Sequence, residues 1–115
     1  MPANGPEISP ILVLVRDLLF QSRITAAAKA ANQKYEVIRE PSALQLKQGR
    51  LLIADLNQPG VIPAAAEWIK TTGGKTIGFV SHVDTDAIAA ARAAGIENVM
   101  ARGAFAAQLP ILLNP

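Results

Sequence analysis

Three short aliphatic runs constrain this chain more than any other feature: ILVLV at 11–15, RLLIAD at 50–55 and KTIGFVS at 75–81. Their apolar cores are free of charge and too short for a membrane span or a stable lone helix, so each reads as a strand, the first two covered on both faces. Strands buried on both sides belong to parallel sheets, and parallel strands need long crossovers.

The intervening segments supply those crossovers. DLLFQSRITAAAKAAN (17–32) has helical spacing at Ile24, Ala27, Ala28 and Ala31, with Asp17 as N-cap or first-turn acid. YEVIRE (35–40) alternates as a short strand, and PSALQLKQG (41–49) reads as a short helix with Pro at its entry and Gly at its exit. A helix over 64–74 stops at two glycines. Thr85 opens another over 85–95 that Gly95 closes. NVMA (98–101) is the last strand, and 104–113 a last helix that Pro110 is expected to break or delay. Residues 1–9, rich in Pro and Gly, are expected to be a mobile lead-in, and 10–115 a single domain.

Five strands alternating with five helices imply a three-layer α/β/α domain, a five-stranded parallel sheet with right-handed crossovers. In such a sheet the site lies beyond the carboxyl ends of the strands, where the strand order reverses. That directs attention to Arg16 and Asp17, to Glu40, to Asp55 through Gly60, to Ser81 through Asp84, and to Arg102 and Gly103.

Composition removes several function classes. There is no cysteine, which excludes disulfides, cysteine zinc sites and thiol chemistry. MPANGPEISP lacks a signal-peptide pattern and no apolar run reaches membrane length, so a cytoplasmic protein without membrane contact is expected. The basic residues form no run and are not interleaved with aromatics, which argues against direct nucleic-acid binding. TTGGK (71–75) has a helix before it and a strand after it, the reverse of a phosphate loop.

If the strand order is 2-1-3-4-5, Asp17 and Asp55 converge from neighbouring strands. Two carboxylates and a carbonyl, here the backbone carbonyl of Asn57, are what a hard divalent cation takes. The competing reading is a helix cap at Asp17 and an ordinary strand-end acid at Asp55. Ser81 places a hydroxyl at the next strand end, and Arg102 a cation able to pair with an anion or with Asp55. His82, the single histidine, would sit at the rim. Leu18, Leu19 and Phe20 cannot all face the core, so one or two should stay exposed as packing or as a docking patch. Trp68 is expected to anchor its helix.

Taken together, VRD after the first strand, ADLNQPG after the third, FVS after the fourth and VMARG after the fifth resemble the receiver domain of two-component response regulators. The resemblance spans 11–113 and implies a flavodoxin-like fold with order 2-1-3-4-5. By position it implies Asp55 as phosphoacceptor, Asp17 as the second acid of the metal-binding pair, Ser81 as the switch hydroxyl and Arg102 in the place of a lysine. Arg16 falls where the first acid belongs and Gly103 where a proline belongs. Arg16 removes a negative ligand and adds a positive charge, so Mg²⁺ binding should be weak. Its guanidinium could also reach Asp55 and neutralise it.

The resemblance therefore implies a stand-alone, atypical (pseudo-)receiver, not an enzyme, acting in signal transduction through protein contacts with weak or absent phosphorylation at Asp55. Its expected partners are a histidine kinase, a phosphotransfer protein or another signalling protein, or a second copy docked through the last two helices and the strand between them. A phosphorylatable single-domain regulator, and a small-ligand or enzymatic domain on the same fold, are the alternatives.

Overall fold

A computed structural model describes residues 9–81 and 84–113 of the 115. The chain runs β1 (Ile11–Leu14), α1 (Leu18–Ala30), β2 (Tyr35–Val37), a 3-10 helix (Pro41–Leu46), β3 (Leu51–Asp55), α2 (Val61–Thr72), β4 (Thr76–Val80), α3 (Thr85–Ala93), β5 (Asn98–Ala101) and α4 (Arg102–Leu112). All neighbouring strands pair in parallel, in the order β2-β1-β3-β4-β5, as the sequence led us to expect.

Strand alternation divides the core into two layers. Ile11, Val13, Ile53, Ile77 and Phe79 point to the face covered by α1 and α4, where Phe20, Ile24, Phe105 and Leu109 meet them. Leu12, Leu14, Leu52 and Ala54 point the other way, onto Leu44 of the 3-10 helix, Val61, Ala65 and Trp68 of α2, and Ala91 of α3. The central strands β1, β3 and β4 are almost wholly apolar because successive side chains serve opposite layers. Trp68 is fully buried and its Nε1–H donates to the Lys47 carbonyl at 3.1 Å, so the expected anchor is present.

Several element boundaries correct the sequence reading. The expected helix over 41–49 is a six-residue 3-10 helix, held by buried Leu44 and by Gln45 Nε2 donating to the Ala64 carbonyl. A 3-10 turn rises faster per residue than an α-helix, which suits so short a crossover. Helix α2 starts at Val61, three residues before the expected 64, because first-turn amides lack intrahelical partners and Pro63 costs nothing there. Helix α4 begins at Arg102 and runs unbroken through Pro110. Proline removes the bond to the carbonyl four residues back and crowds that carbonyl, a cost offset by buried Phe105, Leu109 and Leu113, which hold the helix to the sheet around it.

Asp84, not Thr85, caps α3: its side chain accepts from the Ala87 amide at 3.1 Å. Gly95 (φ 97°) ends that helix as expected, with its own N–H on the Arg92 carbonyl and the Ile96 N–H on the Ala91 carbonyl. Among the apolar residues of α3 and α4, Ala91 and Leu109 turn into the core and Ile111 stays 74% exposed. Among the described residues no helix is long and apolar enough to cross a membrane.

Candidate functional site

The carboxyl ends of β1, β3, β4 and β5 bring the expected residues to one edge of the sheet. Register pairs Leu14 with Ala54, Asp55 with Phe79 and Val80 with Ala101. Asp55 therefore leaves β3 between the ends of β1 and β4, while Ser81 and Arg102 each follow the last paired residue of their strands. His82 lies outside the described residues.

Asp55 is half-buried, and its Oδ1 accepts from the Asn57 amide at 3.0 Å, a local turn that orients the carboxylate. Asn57 contributes more than the backbone carbonyl expected of it. Its side-chain Oδ1 accepts from the Ser81 amide at 2.5 Å, tying the loop after β3 to the end of β4. An Asn two residues past a strand-end acid was the only sequence signal for this brace. Ser81 itself is exposed.

Asp17 carries two loads. Oδ1 accepts from the Leu19 and Phe20 amides at 3.0 and 3.1 Å, making it the N-cap of α1. Oδ2 accepts from Arg102 Nη2 at 3.0 Å. The Phe20 amide first, and then the Arg102 guanidinium, hold the Asp17 carboxyl below its ordinary value of 3.8. Arg102 also lies over the Phe20 ring, with Cζ 4.2 Å from the centroid. Phe20 in turn packs against Phe79 and Phe105, at centroid distances of 5.0 and 5.9 Å. Phe20 is the site residue that sequence reasoning missed, because it was read only as one of three apolar residues competing for the core.

One expected pairing is corrected, and the choice left open for Arg102 is decided. Arg16 is exposed and belongs to neither ion pair found among the described residues, so its guanidinium does not neutralise Asp55. Arg102 pairs with Asp17 and not with Asp55, because stacking on Phe20 directs its guanidinium toward the start of α1. The exposure expected of the apolar triplet is present: Leu18 is 69% and Leu19 85% exposed, while Phe20 is buried.

No protein-family model and no curated protein matches the sequence. Solved structures do resemble the fold. A response regulator receiver domain protein from Methanospirillum hungatei JF-1 superposes with a TM-score of 0.76 at 12% identity, over 92% of this chain and 94% of that one. The signal receiver domain of the putative response regulator NarL from Mycobacterium tuberculosis gives 0.73 at 15% identity, over 94% of each. A response regulator from Burkholderia pseudomallei, solved with a phosphorylated aspartic acid, a calcium ion and citrate, gives 0.71 at 16%, over 92% of this chain and 66% of that one.

This chain has the receiver fold.

Set in that fold, the strand-end residues fit a divalent cation poorly. Mg²⁺ keeps several waters but still takes one or two carboxylates from the protein. Here both oxygens of Asp17 already serve other donors, and Arg16 stands beside it in sequence. Among the described residues no group of three or more acidic, His or Cys side chains comes together.

Beside these strand ends, between the first turns of α1 and α4, lies an open groove of about 520 Å³. Its walls are Leu19, Phe20, Arg23, Ser81, Arg102, Gly103 and Ala106. Asp55 and Asn57 take no part in it.

Proposed function

We propose that this chain is an atypical receiver module that signals through protein contacts, with weak or absent phosphoryl transfer at Asp55. The observation that carries the reading is the commitment of Asp17. Transfer of a phosphoryl group to a carboxylate relies on a divalent cation to neutralise developing charge. In this chain the carboxylate that would hold such a cation is bound to two amides and a guanidinium. Any Mg²⁺ at the strand ends would have to compete with Arg102 and tolerate Arg16, so its binding is weak.

The partner is another signalling protein, a histidine kinase or phosphotransfer protein being the class the fold suggests. One feature favours the alternative of a phosphorylatable regulator. Asp55 stands half-buried at the end of β3 with the Asn57–Ser81 brace beside it, where the Burkholderia relative's kind of chemistry would need an acceptor.

Incubation with Mg²⁺ and acetyl phosphate, read by intact mass, separates the two. At most a trace adduct is expected, even at high donor concentration. A stoichiometric phosphoryl adduct that disappears in Asp55→Asn would overturn the proposal and establish the phosphorylatable reading.

A further inference from the structure

At the opposite edge of the sheet, by the amino ends of β4 and β5, lies a cleft of about 300 Å³. That is the lower end of the roughly 300–1,000 Å³ of small-molecule sites. The TTGGK turn and the loop that closes α3 build it. Gly73 and Gly95 line it without side chains, and Ile69 of α2 gives it an apolar wall. Gly74 holds the turn in place, because a Cβ there would overlap the buried Trp68 indole.

Three polar groups face this space without partners. Lys75 and Glu97 both line the cleft, yet neither belongs to an ion pair found among the described residues. Thr76, which also lines it, is only 6% exposed, and its Oγ1 is buried with no hydrogen-bond partner among the described residues. Ile77 and Phe79 face α1 and α4, so alternation turns Thr76 toward α2, the side on which Ile69 walls the cleft. A buried hydroxyl without a protein partner is uncommon and calls for a polar group from outside. These features select the ligand. An anion would meet Glu97 and the negative ends of two helices, α2 and α3. A cation would meet Lys75, and an apolar molecule would leave the Thr76 hydroxyl unanswered. A molecule with both charges answers all three.

We infer that this cleft binds a small zwitterion, a free aliphatic α-amino acid. Its carboxylate accepts from Lys75 Nζ and the Thr76 hydroxyl, its ammonium donates to the Glu97 carboxylate, and its side chain packs on Ile69. The inference goes beyond the reading of the chain as a contact module, since it gives the domain a small-molecule input. It uses no residue of the strand ends where Asp55 stands, so the two can fail separately.

The test is a titration of the ¹⁵N-labelled full chain with free leucine, followed by amide shifts. N-acetylleucine, which lacks the ammonium, and leucinamide, which lacks the carboxylate, are titrated beside it. Expected are saturable shifts with leucine, centred on Ile69, Gly73, Thr76, Gly95 and Asn98, and weaker binding of both analogues. Lys75→Gln and Glu97→Gln should each weaken leucine about fivefold, the upper range for an ion pair open to solvent. Leucine should then bind no better than leucinamide in the first variant, and no better than N-acetylleucine in the second. Thr76→Val should weaken leucine without lowering the melting temperature, because the hydroxyl it removes has no protein partner. Lys70→Gln, an exposed lysine in the last turn of α2 outside the cleft, should change nothing. Lys75 and Glu97 are exposed, and circular dichroism checks that the variants fold. Absence of saturable shifts up to the solubility limit of leucine overturns the inference. So does equal binding of the three compounds, or a loss in Lys70→Gln equal to that in Lys75→Gln.

Discussion

Arg102 reaches back across 85 residues of sequence to hold Asp17, its Nη2 3.0 Å from the Asp17 Oδ2. The pair joins the first turn of α4 to the first turn of α1. It rests on an aromatic stack drawn from three elements: Phe20 of α1, Phe79 of β4 and Phe105 of α4, with Phe79 and Phe105 at 5.0 Å and 16°. The Asp17 carboxylate is thus answered from within the chain.

The pair has a pH signature. The folded Asp17 carboxyl titrates below its ordinary value of 3.8, owing to the Phe20 amide and the Arg102 guanidinium. A group whose pKa is depressed by folding adds stability above the unfolded value, and loses it as pH falls through the folded one. Asp17→Ala should therefore melt a few degrees below wild type at neutral pH. The gap should close as the medium is acidified below the ordinary aspartate range. Melting curves across that range check this, and a gap that persists at the acid end would show that Asp17 acts through packing.

Metal affinity should respond to the two arginines in a definite order. Arg16→Asp puts a carboxylate beside Asp17 and removes a cation. Calorimetric titration should show Mg²⁺ binding roughly tenfold tighter than in the wild type, given the Coulomb energy of two altered charges near the surface. Adding Arg102→Ala should tighten it further by releasing Asp17 Oδ2. No gain in the single variant would mean that residue 16 points away from the strand ends.

The sheet was legible because each strand of ILVLV, LLIAD and TIGFV must feed both layers, a demand that leaves little room for other folds. Asp55, Ser81 and Arg102 were legible for a related reason: in a parallel sheet, the residue after each apolar run falls at the same edge. The choice between Arg16 and Arg102 as the counter-ion was not. It depends on the direction in which α1 leaves β1 and on a ring, Phe20, that gives one guanidinium a platform. Neither is a local property of the sequence. Pro63 and Pro110 misled in a similar way, since their cost depends on position within a helix whose ends are set by packing. Asp84 was overlooked as a cap because Thr85, one residue on, is also a capping type.

The loop that carries Asp55 is held from below by a glycine. A Cβ on Gly78 would meet Leu56 Cδ1 at 2.6 Å and Cγ at 2.8 Å, so the Leu56 side chain lies directly on the β4 backbone. Leu56 is buried and immediately follows Asp55. Gly78→Ala should cost about 1–3 kcal/mol through overpacking. Amide shift changes should extend from β4 into residues 55–58. Chemical denaturation gives the first quantity and a ¹⁵N spectrum the second. A neutral substitution would mean that Leu56 can swing aside without cost.

Gln58 offers the opposite experiment, a stabilising change. It is only 7% exposed, and its Oε1 has no hydrogen-bond partner among the described residues. Its backbone is already engaged: the amide donates to the Asp55 carbonyl at 3.2 Å, and its carbonyl accepts from the Val61 amide at 3.3 Å. The side-chain carbonyl is therefore desolvated without return, a penalty of about 1–3 kcal/mol for a buried polar group. Methionine has nearly the same length and shape and no such acceptor. Gln58→Met should raise the unfolding free energy by about 1 kcal/mol or more, since it removes the unpaired group and keeps the volume. Urea denaturation at constant slope measures it. A loss of stability would show that the Gln58 amide is satisfied in solution, and that the turn after Asp55 depends on it.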